Sequence, residues 1–557
     1  MTYSKHASTN GSGFGLPLQI ACLAVLITWW SLELTGFKFG KNLNVFHIPY
    51  VMRFIDRPEF AADPFVLSLE NFTTAVWPVI RALVDTFDAR LTFLFAHVVV
   101  RFASVYTLLL LAQTCGLGLW GATISATLVA TSMALMPDSP VGRHEMFLDY
   151  FTHSVVTWPL IFFTFRSLVA RRFRSASVAL ALTFDINAFV ALWMLAVAIF
   201  QRGEEFWRSS AKIKIQSIAL FLLIVAPVAV WILSSIAHTG AATPFSYKQY
   251  IGEYFPDHFL VEAASRASLI RVGLYFLAAW FASGLLRDPG FWRRGIACLL
   301  LIFLAGCAAP QFLDARLIFN LHLLRSEGVL TATSLIVQSM AFVAIMSGAS
   351  SRLHKFLAIQ VAIGTFVLPH SLFFALASTL LFLGHAPAIR SFLARWHDKL
   401  GGERPRLLSM ASIAMIAIAT VVISLAAYRG SVSLVRADND LDPGWRAMAE
   451  AIKREGGSGP YLAPLGDEAD LFVALAERRL WVSWKEGAAV MWYPGFYAQW
   501  SSRWKALREL HSPEQLLAYA KAHGIPEVIL KDPAQACGDG YKPRLKTDGY
   551  LWCSSSS

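Results

Sequence analysis

Apolar runs long enough to cross a bilayer recur along most of this 557-residue chain, and they constrain its fold more than any other feature. A helix that spans the hydrocarbon core needs about 20 predominantly apolar residues. Here 56% of the residues are hydrophobic and only 15% are charged, which no soluble protein of ordinary composition approaches. The sequence therefore predicts an α-helical polytopic membrane protein, with about 11–13 transmembrane or re-entrant helices.

The charge distribution predicts how the helices are oriented. The net charge of +11 comes mainly from short basic clusters between apolar runs, where it sets topology and does not indicate nucleic-acid binding. The strongest cluster, RSLVARRFR, follows the fourth apolar run and marks the cytoplasmic side. The long first loop, residues 37–90, then lies on the opposite side. The first run, residues 17–36, is too long for a cleaved signal sequence and is predicted to be a retained helix.

Two apolar runs are basic at both ends, which would place both of their ends in the cytoplasm. The first, residues 177–200, has the polar sequence TFDIN at its centre. A short helical hairpin with Asp185 at its tip satisfies both facts, and a plain span with one buried Asp is the alternative. The second run, residues 357–383, is broken at Pro369-His370 and is predicted to form another hairpin.

The composition changes near residue 429, and this divides the chain into a transmembrane domain of residues 1–428 and a C-terminal domain of residues 429–557. Helix-like and strand-like pieces alternate in this tail, among them the strand YLAPLG and the strand-like piece PEVILKD, which is typical of a small α/β domain. The topology places this domain outside the cytoplasm. Cys537 and Cys553 lie in the tail and would pair in an oxidising compartment. No cysteine spacing in the chain suggests a zinc site.

The first loop carries acidic residues among aromatics and arginines, from Asn42 to Asn71. A loop this long is more often functional than idle. Its carboxylates are Asp56, Glu59, Asp63 and Glu70, and a carboxylate there would be placed to act as general base towards an acceptor hydroxyl. A solvated connector is the alternative interpretation.

Two further segments carry polar residues on the same predicted side. The insert GRHEMFLDYFTH contains His144, Glu145, Asp149 and His153, but its spacing is not that of a HExxH zinc motif, so donor or acceptor contacts or a solvated helix start are favoured over a metal. Arg325 opens a later apolar run, near His322. Its guanidinium suits a lipid phosphate, and an interfacial anchor is the alternative role.

The chain resembles the GT-C superfamily of polytopic membrane glycosyltransferases, in particular a poorly characterised bacterial branch. The likeness covers most of the chain as architecture: a long acidic first loop, short paired helices and an extracytoplasmic C-terminal domain. The residues that carry it locally are Asn42, His47, Pro49, Tyr50, Asp56, Asp63, Pro64 and Phe65 in the first loop, and Arg479, Trp484, Lys485, Trp500 and Arg503 in the tail.

The resemblance implies transfer of a sugar from a polyprenyl-phosphate donor to a glycan, lipid or protein acceptor, with a first-loop Asp as base. It also implies a bacterial inner membrane location with the tail in the periplasm. Two departures stand out: no acidic pair directly follows the first run, and the tail lacks the WWD signature of protein N-glycosylation enzymes.

The sequence thus predicts a membrane glycosyltransferase in which Asp56 or Asp63 is the base and Arg325 and His322 bind the donor phosphate. No cofactor is predicted, because the lipid-linked sugar donor is a substrate and no motif supports a divalent metal. A transporter or flippase for a lipid-linked or anionic solute is the alternative, although its usual repeat symmetry is not evident. The residues predicted to line the substrate cavity are His47, Tyr50, His144, Glu145, Asp149 and Asp185.

Overall fold

The structure is a computed structural model, and it describes most of the chain. The described residues are 15–136, 141–142, 145–238, 244–348, 351–368, 371–387, 389, 391, 442–457, 459–531, 537–538 and 540–555. His144, the Pro369-His370 break, the last predicted span (408–427) and the predicted domain boundary at residue 428 lie outside these ranges.

Apolar helices make up the larger part of the molecule, and six helical stretches in the described residues are long and apolar enough to cross a membrane. This confirms the predicted fold class of a multi-pass helical membrane protein. In chain order the helices of this bundle are α1 (Gly15–Thr35), α5 (Ala89–Thr114), α6 (Leu119–Ala130), α7 (His153–Val169), α8 (Phe173–Ile186), α9 (Ala188–Trp207), α10 (Ala211–His238), α13 (Arg266–Ala282), α14 (Pro289–Phe312), α16 (Ser326–Ser347), α17 (Arg352–Val367) and α18 (Leu372–Leu383).

Helix α16 lies at the centre of the bundle. Nearly all of its residues are buried, including its polar ones, and the hydroxyls of Ser125 on α6 and Ser339 lie 2.7 Å apart. Small hydroxyl residues let neighbouring helices approach closely in an apolar environment. Helix α10 has the opposite character: Leu223 is 73% exposed and Leu233 67%, so this helix presents its apolar surface outwards, as a lipid-facing helix does.

Helices α8 and α9 form the first predicted hairpin. Asn187 separates them, and its side chain accepts a hydrogen bond from the amide of Val190 at 3.3 Å, which caps α9. The far ends of the two helices meet again, because Arg171 Nε donates to Glu205 Oε2 at 2.7 Å. The tip touches the first loop, where the amide of Ala75 donates to the carbonyl of Asp185 at 2.8 Å. The hairpin was therefore predicted correctly, and the single-span alternative is wrong.

Helices α17 and α18 form the second hairpin. The ring of Phe374 packs directly over Gly364, where a Cβ atom would overlap it. At the open end, the Nε2 atoms of His354 and His385 lie 2.8 Å apart. The predicted hairpin is confirmed by the two helices on either side of the break.

Short helices fill the segments at one end of the bundle, which we call the outer end because the first loop lies there. In the first loop they are α2 (Asn44–Val51), α3 (Pro64–Ser68) and α4 (Val76–Val84). The later outer segments contain α11 (Tyr247–Tyr254), α12 (Pro256–Phe259) and α15 (Arg316–Asn320).

The C-terminal domain contains a four-stranded sheet in the order β1-β2-β4-β3. The predicted strands at YLAPLG and PEVILKD are present, with β1 pairing parallel to β2. The terminal hairpin of β3 and β4 was not predicted, although Asp548-Gly549 is a common hairpin turn. The elements are α19 (Pro443–Glu455), β1 (Tyr461–Leu462), α20 (Asp467–Ala476), α21 (Tyr497–Arg508), α22 (Pro513–Ala522), β2 (Glu527–Lys531), β3 (Tyr541–Thr547) and β4 (Tyr550–Ser555).

A disulfide joins Cys537 to Cys553, as predicted, and closes a loop between residues 16 apart. Cross-linking a loop of this length stabilises a fold by about 3 kcal/mol. We therefore expect Cys537→Ser to raise the rate at which a protease cleaves the tail of the intact protein, by about 100-fold where cleavage follows local opening. Cys22→Ser, in α1, is the matched control because Cys22 is a free cysteine. Equal cleavage rates in the two variants would show that the disulfide does not hold this domain together.

The C-terminal domain packs on the first loop and shares one hydrophobic cluster with it. Phe46 and Phe65 of the first loop are buried in the same cluster as Trp500 of the tail. Arg57 of the first loop donates to Glu477 of the tail at 2.6 Å. Such contacts fix the domain over the outer end of the bundle.

Candidate functional site

Six polar side chains from separate segments at the outer end of the bundle are linked because the charge of one acts on the next, and we call them the Arg325 cluster: Glu145, His153, His258, His322, Arg325 and Lys485. The insert after α6 reaches the cluster because Gly142 packs against the start of α16. A Cβ atom at Gly142 would lie 2.9 Å from the Cα of Arg325, and this residue has φ of +69°, so glycine is required on both counts. The charge of Glu145 interacts with that of Arg325, and burial together with the charge of Arg325 lowers the pKa of His153 to about 3.

The α8–α9 hairpin supports the cluster from within the bundle. Trp193 Nε1 donates to the carbonyl of Leu321 at 3.1 Å, and the ring of Phe189 lies 5.3 Å from that of His322. His322 has a left-handed backbone conformation, with φ of 48°, which turns the chain sharply just before Arg325. The hairpin tip thus touches both the first loop and the segment that carries Arg325.

His258 joins the cluster from α12. Its Nδ1 lies 3.5 Å from the carbonyl oxygen of Gly142, and the ring of Phe259 packs on His322 at 4.8 Å. Burial lowers the pKa of His258 well below its usual value, and the positive charges of Arg325 and Lys485 lower this pKa further. The imidazole is therefore neutral at pH 7 in the absence of an anion.

The composition of the cluster favours an anionic ligand. Lys485 and Arg325 carry positive charge, and the three imidazoles can each donate a hydrogen bond. Glu145, His258, His322 and Arg325 are all partly exposed, so a ligand can reach them. Burial raises the pKa of the neighbouring Tyr150 hydroxyl, and the charges of Glu145 and Asp149 raise it further, while Arg325 opposes them. One carboxylate beside two cationic side chains and neutral imidazoles suits phosphate recognition next to a general base.

His47 is fully buried in the first loop and adjoins the cluster through His153. Asn44 orients its ring: the amide of Gly40 donates to Asn44 Oδ1 at 3.1 Å, which leaves Asn44 Nδ2 to face His47 Nδ1 at 3.4 Å. The rings of His47 and His153 lie 5.6 Å apart, edge to face. Burial lowers the pKa of His47 well below its usual value, and the charge of His153 adds to this. His47 is therefore a neutral group near the cluster.

Asp56, one of the two predicted bases, lies on the surface of the first loop. Its carboxylate accepts a hydrogen bond from Arg81 at 3.0 Å, and 55% of its side chain is exposed. Its catalytic role stays a prediction.

Asp63, the other predicted base, is buried beneath the C-terminal domain. It caps α3 by accepting hydrogen bonds from the amides of Phe65 at 3.0 Å and Val66 at 3.2 Å. Burial raises the pKa of Asp63, and these amides and the charge of Arg479 lower it in part. Burial also raises the pKa of Glu486 in the tail, and the charge of Asp63 raises it further. Asp63 thus has a structural task at the contact between first loop and tail.

The cap at Asp63 leads to a prediction that separates this structural task from catalysis. Asp63→Ala removes the cap and is expected to destabilise the fold by about 1 kcal/mol, whereas Asn caps a helix about as well as Asp. We expect Asp63→Asn to keep both the thermal unfolding midpoint and the activity of the wild type, and Asp63→Ala to lower the midpoint. A stable Asp63→Asn variant without activity would instead identify Asp63 as the base.

The remaining predicted cavity residues are dispersed. Asp149 forms ion pairs with Lys38 at 3.1 Å and with Lys41 at 3.0 Å, and both lysines lie in the segment that follows α1. Asp185 lies at the hairpin tip, where its backbone carbonyl holds the first loop. Tyr50 is partly buried at the edge of the hydrophobic clusters of the first loop. Among the described residues, no group of three or more His, Cys, Asp or Glu side chains is arranged to hold a metal ion.

His258 belongs to the cluster but was not predicted, and His153 was singled out in the insert without being placed among the predicted site residues. His153 stands in the insert that contains Glu145, and His258 lies in the aromatic sequence YFPDHF. Both are histidines beside aromatic residues on the predicted outer side, which is the signal that could have identified them.

Comparisons with known proteins find similarity at the level of structure alone. No protein-family model matches the sequence, and no curated protein matches it. The chain is similar in structure to the oligosaccharyltransferase AglB from Archaeoglobus fulgidus, solved in complex with an inhibitory peptide and a dolichol-phosphate. The sequences are 11% identical, the match covers 93% of this chain and 70% of that chain, and the TM-score is 0.39. At these values the similarity assigns no role to any residue.

Proposed function

We propose that this protein is a membrane glycosyltransferase of GT-C type that transfers a sugar from a polyprenyl-phosphate donor to a glycan, lipid or protein acceptor. The observation that carries the proposal is the Arg325 cluster, in which cationic side chains and one carboxylate meet at the outer end of a membrane helix bundle. A lipid phosphate is an anion held at that depth, and guanidinium matches its oxygens. The sequence motifs of the first loop and tail, which resemble this superfamily, agree with the proposal.

The chemistry is a direct displacement at the anomeric carbon of the donor sugar. The acceptor hydroxyl forms a bond to that carbon while the bond from the carbon to the phosphate oxygen breaks, and polyprenyl phosphate leaves. Arg325 and His322 stabilise the negative charge that develops on the leaving phosphate. Glu145, beside Arg325, takes the proton of the acceptor hydroxyl as general base. Asp56 and Asp63 are the competing candidates for this base.

The proposed location is a bacterial inner membrane, with the first loop and the C-terminal domain on the periplasmic side. The basic cluster that follows α7 supports this orientation, since positive residues concentrate in cytoplasmic loops. The disulfide in the tail agrees with an oxidising compartment.

The experiment is sugar transfer in membrane vesicles that contain the protein. Radiolabelled polyprenyl-phosphate sugars are supplied to vesicles with wild type, with Arg325→Met, or with no added protein. Label that moves to an acceptor only with wild type supports the proposal. Label that crosses the membrane but stays on the polyprenyl carrier would favour a flippase, and failure to transfer from any donor with folded protein would contradict the enzyme.

A further inference from the structure

Lys485 is a nearly buried lysine of the C-terminal domain that lies in the Arg325 cluster. Only 7% of its surface is exposed. Lysine is seldom buried to this extent, because removing an ammonium group from water is unfavourable unless other charges compensate for it. The burial of Lys485 therefore points to a role for its ammonium group that the exposed lysines of the domain do not share.

Two hydrogen bonds fix the segment that carries Lys485 to the outer loop that carries His258. On one side of Lys485, Trp484 Nε1 donates to the carbonyl of Tyr254 at 3.0 Å. On the other side, the hydroxyl of Tyr250 donates to the carbonyl of Gly487 at 2.6 Å. The indole of Trp484 also packs on Phe255 at 5.0 Å, one turn before His258.

The same segment is anchored within the tail. The backbone amide of Lys485 donates to Asp470 Oδ1 at 2.8 Å, and its ammonium lies 5.1 Å from the centre of the Trp484 ring. The hydrogen bond to Asp470 is donated by the backbone amide of Lys485, so it persists when the side chain is replaced. This leaves the position of the segment independent of the ammonium group.

We propose that Lys485 binds the donor phosphate together with Arg325, so that the active site is shared between the membrane bundle and the C-terminal domain. The ligand is a lipid phosphate, recognised by one guanidinium that matches two oxygens and one ammonium that acts as a point charge. The inference rests on the proposed function for the identity of that ligand. It makes the tail a part of the enzyme and gives a reason for its close packing on the first loop.

The first test measures how the rate depends on donor concentration. Removal of a charge-assisted contact with phosphate in Lys485→Met is expected to raise the KM for a polyprenyl-phosphate sugar by roughly ten- to a hundredfold. Lys485→Arg keeps the charge and should retain most of the affinity. Lys505→Met is the matched control, because Lys505 lies on the surface of the same domain, is 48% exposed and pairs with Glu253 of the outer loop. An unchanged KM in Lys485→Met overturns the proposal.

The second test does not depend on turnover. Burial lowers the pKa of His258 most. The groups Arg325, Lys485 and His322, which face His258, lower this pKa further. In Lys485→Met, NMR of labelled histidine should show a raised pKa for His258, while Lys485→Arg should match wild type. If Lys485→Met does not fold, Lys485→Gln serves for the same comparison. An unchanged pKa in a folded variant contradicts the placement of Lys485 beside His258.

Titration with farnesyl phosphate, a short polyprenyl phosphate, then identifies the ligand, with inorganic phosphate as the second arm. Farnesyl phosphate should raise the pKa of His258 in wild type and bind at least tenfold more weakly to Lys485→Met. Inorganic phosphate that acts equally well would overturn the lipid assignment. Transfer that depends on Arg325 but not on Lys485 would refute this inference alone. Farnesyl phosphate binding that depends on Lys485, in a protein without transfer, would refute the proposed function alone.

Discussion

Replacement of Arg325 with Met is expected to lower the rate of sugar transfer at least 100-fold. Loss of one preorganised group that stabilises transition-state charge typically reduces kcat by about 10²–10³. Arg325 lies in the segment Leu323–Arg325, held between the hairpin tip and the insert at Gly142, so its position is fixed before the donor binds. The measurement is initial transfer rate at saturating donor, in vesicles with matched amounts of protein.

Two comparisons make the Arg325 result specific. Arg325→Lys keeps the charge but loses the bidentate geometry, so it should retain more activity than Arg325→Met while remaining below wild type. Arg53→Met is the control: Arg53 pairs with Asp85 on the exposed surface of the first loop, where solvent screens an ion pair. Full activity in folded Arg325→Met would show that Arg325 does not stabilise the leaving phosphate.

Replacement of Glu145 with Gln is expected to reduce kcat by about 10²–10⁴, because a positioned general base contributes an effect of this size. Gln keeps the shape and hydrogen-bonding capacity of the side chain but cannot take a proton. The KM for the donor should change far less than kcat, since the phosphate contacts remain. This separation of kcat from KM distinguishes a base from a residue that only binds the donor.

The same assay compares Glu145 with the two acids of the first loop. Asp56→Asn and Asp63→Asn should each retain activity within about twofold of wild type, because Asp56 is a surface ion-pair partner and Asn preserves the cap at Asp63. Loss of transfer in either carboxamide variant, with Glu145→Gln active, would assign the base to the first loop instead. Rate loss in all three folded variants would indicate that the acids act together.

Local sequence patterns were sufficient to predict the elements of the bundle. Each hairpin was predicted because its apolar run has basic residues at both ends, which places both ends on the cytoplasmic side. The polar residues around Asp185 supported the first hairpin further. The pairing of Cys537 with Cys553 followed from their shared position in a polar tail. The β3–β4 hairpin was missed because its Asp548-Gly549 turn was not read as a turn signal.

Tertiary contacts account for most of what the sequence did not predict. His258, Arg325 and Lys485 are far apart in the chain, and no spacing rule connects them. They meet because the aromatic residues of the outer loop and of the tail pack against each other. Residue type alone also favoured Asp63 as a base, whereas the following Pro64 makes it equally suited to begin a helix. The cap and the burial of Asp63 are visible only once the tail is placed over the first loop.

The stoichiometry of the reaction, measured with purified protein in lipid nanodiscs, tests most directly whether this protein is a glycosyltransferase. Polyprenyl-phosphate sugar and a mixture of candidate acceptors are supplied, and both the released polyprenyl phosphate and the transferred sugar are counted. We predict that they appear in equal amounts with wild type and that both are lost in Arg325→Met and Glu145→Gln. Release without transfer to any acceptor, or equal yields in wild type and both variants, would contradict a glycosyltransferase that works at this site.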